Sequence, residues 1–143
     1  MLLEQAININ DQIPAYHRNL GAAYYSLKNY NKAINEHTTA IKLEPGNAIN
    51  YHNKGAALFR SGEYEGAKEY FQCAIERDRK LALSFSWMGD CEKELKNYEK
   101  AAELYQKAYE ISGNAVYQKE KEKLEKEFKL EKKEKKKFFG LFG

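Results

Sequence analysis

Three histidines and two cysteines are the side chains in this sequence best suited to chemistry near neutral pH. His17, His37 and His52 would need converging acidic, hydroxyl or imidazole partners to hold a metal or move a proton. No G-x-S-x-G, P-loop or H-E-x-x-H run supplies them. Cys73 and Cys91 stand apart, without C-x-x-C spacing, and no base is marked as an activator of either. Both read as small buried helix residues in a reducing compartment. The expectation is a protein without catalytic residues, metal or cofactor. His17 and His37 fall on helix-packing positions that would bring the two rings together.

A second kind of chemistry lies near the end of the sequence. Lys132, Lys133, Lys135, Lys136 and Lys137 precede Phe138, Phe139, Leu141 and Phe142. On a helix Phe138 shares a side with Leu141 and Phe142, three and four residues on. Lysines beside a short apolar face suit weak, salt-sensitive contact with an anionic membrane. The arrangement is similar, over about nine residues, to the membrane-targeting helix of bacterial cell-division ATPases. The same residues also suit self-association, by docking into a neighbouring molecule, or simple disorder.

Charge is unevenly spread. Residues 1–117 hold 14 Lys/Arg and 15 Asp/Glu, a net −1; residues 118–143 hold 10 Lys and 6 Glu, a net +4. A nearly neutral body lacks the basic face that nucleic acid demands, so none is expected as a partner. No run of 18 apolar residues is present to span a bilayer, and MLLEQAININD has no leader pattern. The location expected is cytoplasmic, with the tail a route to the inner membrane surface.

The elements that must position these residues follow a period of 34. Gly21, Gly55 and Gly89 obey it, as do Ala33, Ala67 and Ala101, then Ala40, Ala74 and Ala108, then Tyr30, Tyr64 and Tyr98. Each period carries two helical patterns around a short polar turn: SLKNY, RSGEY and ELKNY. First helices are predicted near 14–27, 48–61 and 82–95, and second helices near 31–43, 65–77 and 99–111. A mid-helix Gly costs up to about 1 kcal/mol relative to Ala, so its recurrence marks a flat spot where a second helix approaches closely. Tyr24, Leu58, Phe71 and Tyr105 fill the space beside those spots. No hairpin buries its apolar face alone, so hairpins must stack.

The pattern resembles the tetratricopeptide repeat family, W-x2-L-G-x2-Y, then A-x3-F, then P. HRNLGAAY, AINEH and Pro45 match it, as do YHNKGAAL with AKEYF and FSWMGDCE with AAELY. His17, His37, Lys54 and Glu92 depart from it at positions that are usually large and apolar. The resemblance implies an all-α fold, a right-handed superhelical stack of helix-turn-helix repeats with a long C-terminal capping helix. Residues 1–13 read as the second helix of a partial preceding repeat, which favours a fragment of a longer array over a cap. Repeats then occupy 14–47, 48–81 and 82–114, a charged capping helix 115–137, and an apolar tail 138–143. Val116, Tyr117, Leu124 and Phe128 form the stripe that covers the last repeat.

The resemblance also implies a concave groove lined by first helices, holding a peptide segment or helix of another protein. Its stripes are Ala15, Arg18, Ala22 and Tyr25, then Ile49, His52, Ala56 and Phe59, then Leu83, Ser86, Asp90 and Lys93. Asn53 and Trp87 lie alongside. A subset of the family clamps acidic chaperone C-termini with three cations and two Asn. The matching residues here are Arg18, Ala22, Asn53, Leu83 and Ser86, of which two could serve. An apolar, aromatic groove is expected instead.

Overall fold

The computed structural model describes residues 11–142, the side chain of Phe142 excepted, and every regular element among them is a helix. Seven follow in order: α1 (Pro14–Ser26), α2 (Tyr30–Leu43), α3 (Ala48–Arg60), α4 (Tyr64–Arg77), α5 (Ala82–Glu94), α6 (Tyr98–Ser112) and α7 (Ala115–Phe142). The bounds of α1 to α6 fall within a residue of those predicted. The half-repeat read at 1–13 lies almost wholly outside the described residues.

Local chemistry explains the punctuation. Pro14 opens α1, where its missing N–H leaves no partner unsatisfied. Asn29 and Asn47 cap α2 and α3, accepting from the amides of Lys32 and Ile49 at 3.3 and 3.0 Å. The three hairpin turns share one left-handed geometry, centred on Lys28 (φ 61°), Gly62 (φ 86°) and Lys96 (φ 64°). In each, two backbone amides reach back to the last turn: Asn29 to Tyr24, Glu63 to Leu58 and Asn97 to Glu92 make the longer link. Only the middle turn uses the residue that adopts this conformation without steric cost.

The recurring glycines form sockets. A Cβ on Gly21 would meet the His37 ring at 2.6 Å, one on Gly55 the Phe71 ring at 2.8 Å, and one on Gly89 the Tyr105 ring at 2.9 Å. Each ring from the second helix thus lies flat on the glycine of the first. Ala33, Ala67 and Ala101 are fully buried in the same interfaces. Each helix packs on those before and after it, and α1 touches α3 as α3 touches α5. The result is a helical repeat stack.

Three of the four departures from the apolar pattern acquire polar partners. His17 places Nδ1 2.7 Å from a Glu36 carboxylate oxygen and Nε2 2.7 Å from the Asp11 carbonyl. Lys54 donates to the Tyr70 hydroxyl at 2.8 Å and lies over that ring. Buried Glu92 takes the Lys68 ammonium at 3.1 Å and the Asn97 amide at 2.8 Å. His37 is the exception: its ring is 2% exposed and Nδ1 has no hydrogen-bond partner among the described residues. His17 therefore turns to Glu36 and Asp11 rather than to His37, because two acceptors offer its nitrogens more than a second imidazole does.

Helix α7 lies along α6. Leu124 is buried against Ala101 and Tyr105, Phe128 meets Tyr98 at 5.4 Å, and Lys121 donates to Gln106 at 3.0 Å. Val116, expected on this stripe, is more than half exposed instead, because at about 100° per residue it lies about 80° around the helix from Leu124 and about 120° from Phe128. The helix continues through Gly140 to Phe142 without a break at 137.

Candidate functional site

The first helices of the three hairpins converge on one concave cleft of about 280 Å³. It is lined by Ala22, Tyr25 and Ser26 of α1, His37 of α2, His52, Asn53 and Ala56 of α3, and Trp87 of α5. Small residues on α1 and α3 leave the space, and aromatic rings enclose it. Trp87 stands edge-on to His52 at 6.0 Å and to Phe59 at 5.5 Å, and is tilted against Phe71 at 5.9 Å. This aromatic wall joins the main core cluster of Ala56, Leu58, Ala67, Phe71 and Cys91.

Of the groove residues read from the sequence, Ala22, Tyr25, His52, Asn53, Ala56 and Trp87 come together, with Phe59 behind Trp87. Others are held by partners within the chain. Arg18 donates to Asn50 Oδ1 at 3.2 Å and lies 3.4 Å from a Glu44 carboxylate oxygen. Asn50, fully buried, donates in turn to the carbonyls of Ala40 and Glu44. One repeat on, His52 Nδ1 pairs with Ser84 Oγ at 2.8 Å. These pairs, Arg18 with Asn50 and His52 with Ser84, are the same position in successive repeats and stitch each hairpin to the next. Ser86 is buried and donates to the Leu83 carbonyl, while Asp90 accepts from the Tyr105 hydroxyl. Ile49 and Leu83 are exposed beyond the cleft.

Two lining residues and one rim residue were missed. Ser26 and Arg60 continue the stripes from Ala22 and Ala56 by one further turn, a step the i+4 spacing provides. Arg60 donates from Nε to the Tyr25 hydroxyl at 3.0 Å, with its guanidinium carbon 5.6 Å from the Trp87 ring centre. It thereby ties α1, α3 and α5 together at the mouth and sets one exposed cation there. His37, buried on Gly21, borders the cleft beside Ala22.

The electrostatics separate the histidines. Burial lowers His37 to about 4, with the Arg18 charge adding to the effect, and burial alone lowers His52 to about 4. Both are neutral at pH 7, so the cleft wall is uncharged there. Burial also acts against a charge on His17, but the Glu36 and Asp11 hydrogen bonds outweigh it and the net shift is upward. Cys91, fully buried, is pushed up to about 12 by desolvation, which leaves it a thiol rather than a nucleophile. Among the described residues no group of three or more His, Cys, Asp or Glu is placed to hold a metal ion, and no helix is long and apolar enough to cross a membrane.

Two family models match the chain, one described as tetratricopeptide repeat over residues 46–114 and one as TPR repeat over residues 23–62. The heat-shock protein cognate (HSC) co-chaperone sgt12 of Aspergillus fumigatus is 35% identical over 94 residues, 66% of this chain and 28% of that protein. Small glutamine-rich tetratricopeptide repeat-containing protein 2 of Saccharomyces cerevisiae is 37% identical over 112 residues, 73% of this chain and 32% of that protein. The chain spans less than a third of the length of these curated relatives. The solved Sgt2 TPR domain from Aspergillus fumigatus matches with a TM-score of 0.78 at 28% identity, covering 84% of this chain and 82% of that one. The first TPR of Spaghetti (RPAP3), bound to the HSP90 peptide SRMEEVD, gives 0.77 at 22% identity over 80% and 92%, a likeness of fold alone.

Proposed function

The chain belongs to the tetratricopeptide repeat family, and on that premise we propose that it is a scaffold holding an extended peptide or helix of a partner protein across the concave cleft. One apolar or aromatic side chain of the partner sits between Tyr25, Asn53 and Trp87. The observation that carries this reading is the cleft itself: rings from three hairpins enclose a space opened by Ala22 and Ala56. At about 280 Å³ it falls below the usual 300–1,000 Å³ of small-molecule sites and suits one or two side chains. Aromatic groups supply contact area with little rotamer entropy to lose, which is why such anchors dominate binding energy.

The relatives' names point to chaperone peptides, and the peptide SRMEEVD on Spaghetti is acidic. Acidic recognition fits this groove poorly. Arg18 is already engaged by Glu44 and Asn50, and Ala22, Leu83 and Ser86 carry no charge. Two carboxylates placed there would lose water without gaining cations. We therefore favour an apolar anchor, with Arg60 at the rim as a cation available to an acidic neighbour in the partner sequence.

Random peptides displayed against the intact chain test this. The expected enrichment is for one large apolar or aromatic residue, with binding lost in Tyr25→Ala with Phe59→Ala while helicity is unchanged. A hot-spot anchor such as Tyr25 is worth about 2 kcal/mol and Phe59 supports Trp87 from behind, so the pair should weaken binding by about thirtyfold or more. SRMEEVD itself should show no saturable binding. Equal capture by the double variant, or tight binding of SRMEEVD, would overturn the apolar-anchor reading.

A further inference from the structure

The far turns of α7 have no counterpart in the repeats. This helix has 28 residues against 15 in α6, so at about 1.5 Å per residue it is roughly 20 Å longer than the helix it packs on. The ion pair to α6 farthest along α7 among the described residues is Lys132, 3.9 Å from Glu99 in the first turn of that helix. Beyond it the helix runs on for some 15 Å. There Phe138, Phe139 and Leu141 are 59%, 71% and 79% exposed, and the two phenylalanine rings meet edge to face at 6.0 Å.

Position along the helix sorts these residues. At the α-helical spacing Phe138, Phe139 and Leu141 occupy one half of the cylinder, with Glu134 and Lys135 one turn before them on the same side, while Lys133, Lys136 and Lys137 occupy the other. Scattered exposed apolar residues need no explanation, but three within four positions, backed by a lysine face, form an amphipathic end. We infer that this end of α7 is an interfacial segment that lies on an anionic bilayer surface, phenylalanines toward the acyl chains and lysines toward the headgroups.

Three observations select that occupant. Five lysines against Glu131 and Glu134 over 131–137 give charge complementarity to anionic headgroups, each lysine strengthening partitioning by about fivefold. The repeat body of a second copy carries 14 cations and 15 acids over 1–117 and so has no strong field to attract a basic helix. The segment is already helical through Phe142 and continuous with the packed part of α7, so lying on a surface demands no new ordering. The cleft, built on α1, α3 and α5, is at a different place in the stack, and the inference is independent of what it binds.

Flotation of the full chain with phosphatidylcholine vesicles, with and without phosphatidylserine, tests it. The chain is expected to float with the anionic vesicles and not with the zwitterionic ones, and to be released at high salt. Phe139→Ser with Leu141→Ser should weaken partitioning at least about tenfold, and Lys133→Glu, Lys136→Glu and Lys137→Glu together at least about a hundredfold, since each loses an attraction and adds a repulsion. All these side chains are exposed, so thermal midpoints should be unchanged and loss of binding is not loss of fold. Failure to float with anionic vesicles overturns the inference, as does equal flotation of the serine variant. So does a full chain that forms oligomers in light scattering, lost in the serine variant, without binding vesicles; that result would make this face a contact between copies.

Discussion

The first and second hairpins are built to one plan and filled with different chemistry. In the second, Phe71 lies on Gly55, fully buried, at the centre of the main apolar cluster. In the first, His37 lies on Gly21 in the same pose, 2% exposed, with Nδ1 lacking a hydrogen-bond partner among the described residues. The socket therefore selects a flat ring, and an apolar ring is only the commoner filling. An orphaned buried nitrogen costs about 1–3 kcal/mol, and here it is carried by a residue that lines the cleft. Local rules are most often broken at functional sites, and this one is broken where α1 and α3 open.

The largest expected effect tests the shared plan. Gly55→Leu drives side-chain atoms into the Phe71 ring, which a bare Cβ would already meet at 2.8 Å. Overfilling of this kind costs about 1–3 kcal/mol and more where backbone must move. The prediction is a loss at the top of that range by urea unfolding, and an unchanged midpoint would mean the ring does not rest on the glycine.

The next effect separates the hairpins. His37 and His52, both lowered to about 4, stay neutral in the fold while the unfolded chain takes up protons near pH 6.5. Their depressed values make stability fall as pH drops from about 6.5 toward 4, by up to about 3 kcal/mol for each. His17, raised, has the opposite sign: its contribution is complete below its unfolded value and fades as pH rises through its folded one. His37→Phe copies the second hairpin into the first. It should raise stability at pH 7 by about 1 kcal/mol through removal of the orphaned nitrogen, and remove close to half of the acid sensitivity. An unfolding curve with the same pH slope as the parent would contradict the assignment.

The smallest effect lies in the turns. Lys28 and Lys96 hold the left-handed conformation that Gly62 supplies in the middle turn. Lys28→Gly and Lys96→Gly should each stabilise by up to about 1 kcal/mol, since relief of steric strain exceeds the added freedom of the unfolded chain. Thermal midpoints below the parent's would show that the turn tolerates lysine without strain.

Much of this was legible beforehand because close helix approach leaves a periodic record. Gly21, Gly55 and Gly89 announced the sockets, and the stripes from Ala22 and Ala56 located the cleft. What was illegible depends on how far each repeat is rotated against the next. The Arg18–Asn50 and His52–Ser84 pairs join side chains 32 positions apart, two short of the period, and no single-repeat pattern contains that offset. Arg60 escaped notice for the same reason: its partners Tyr25 and Trp87 belong to the repeats on either side. His17 and His37 looked like neighbours from their packing positions, yet Glu36 lay within reach and offered a stronger bond. Val116 was grouped with the covered stripe although eight and twelve residues of helix carry it about 80° and 120° away from Leu124 and Phe128.

The cleft contains the chain's single tryptophan, and that makes the central claim directly measurable. A peptide selected on the intact chain should be titrated while following Trp87 emission, with calorimetry in parallel. The account predicts one saturable emission change whose midpoint equals the calorimetric affinity, and neither signal in the chain carrying Tyr25→Ala with Phe59→Ala. Calorimetric binding of equal strength in both chains, with Trp87 emission unmoved, would place the partner elsewhere on the molecule and contradict the account.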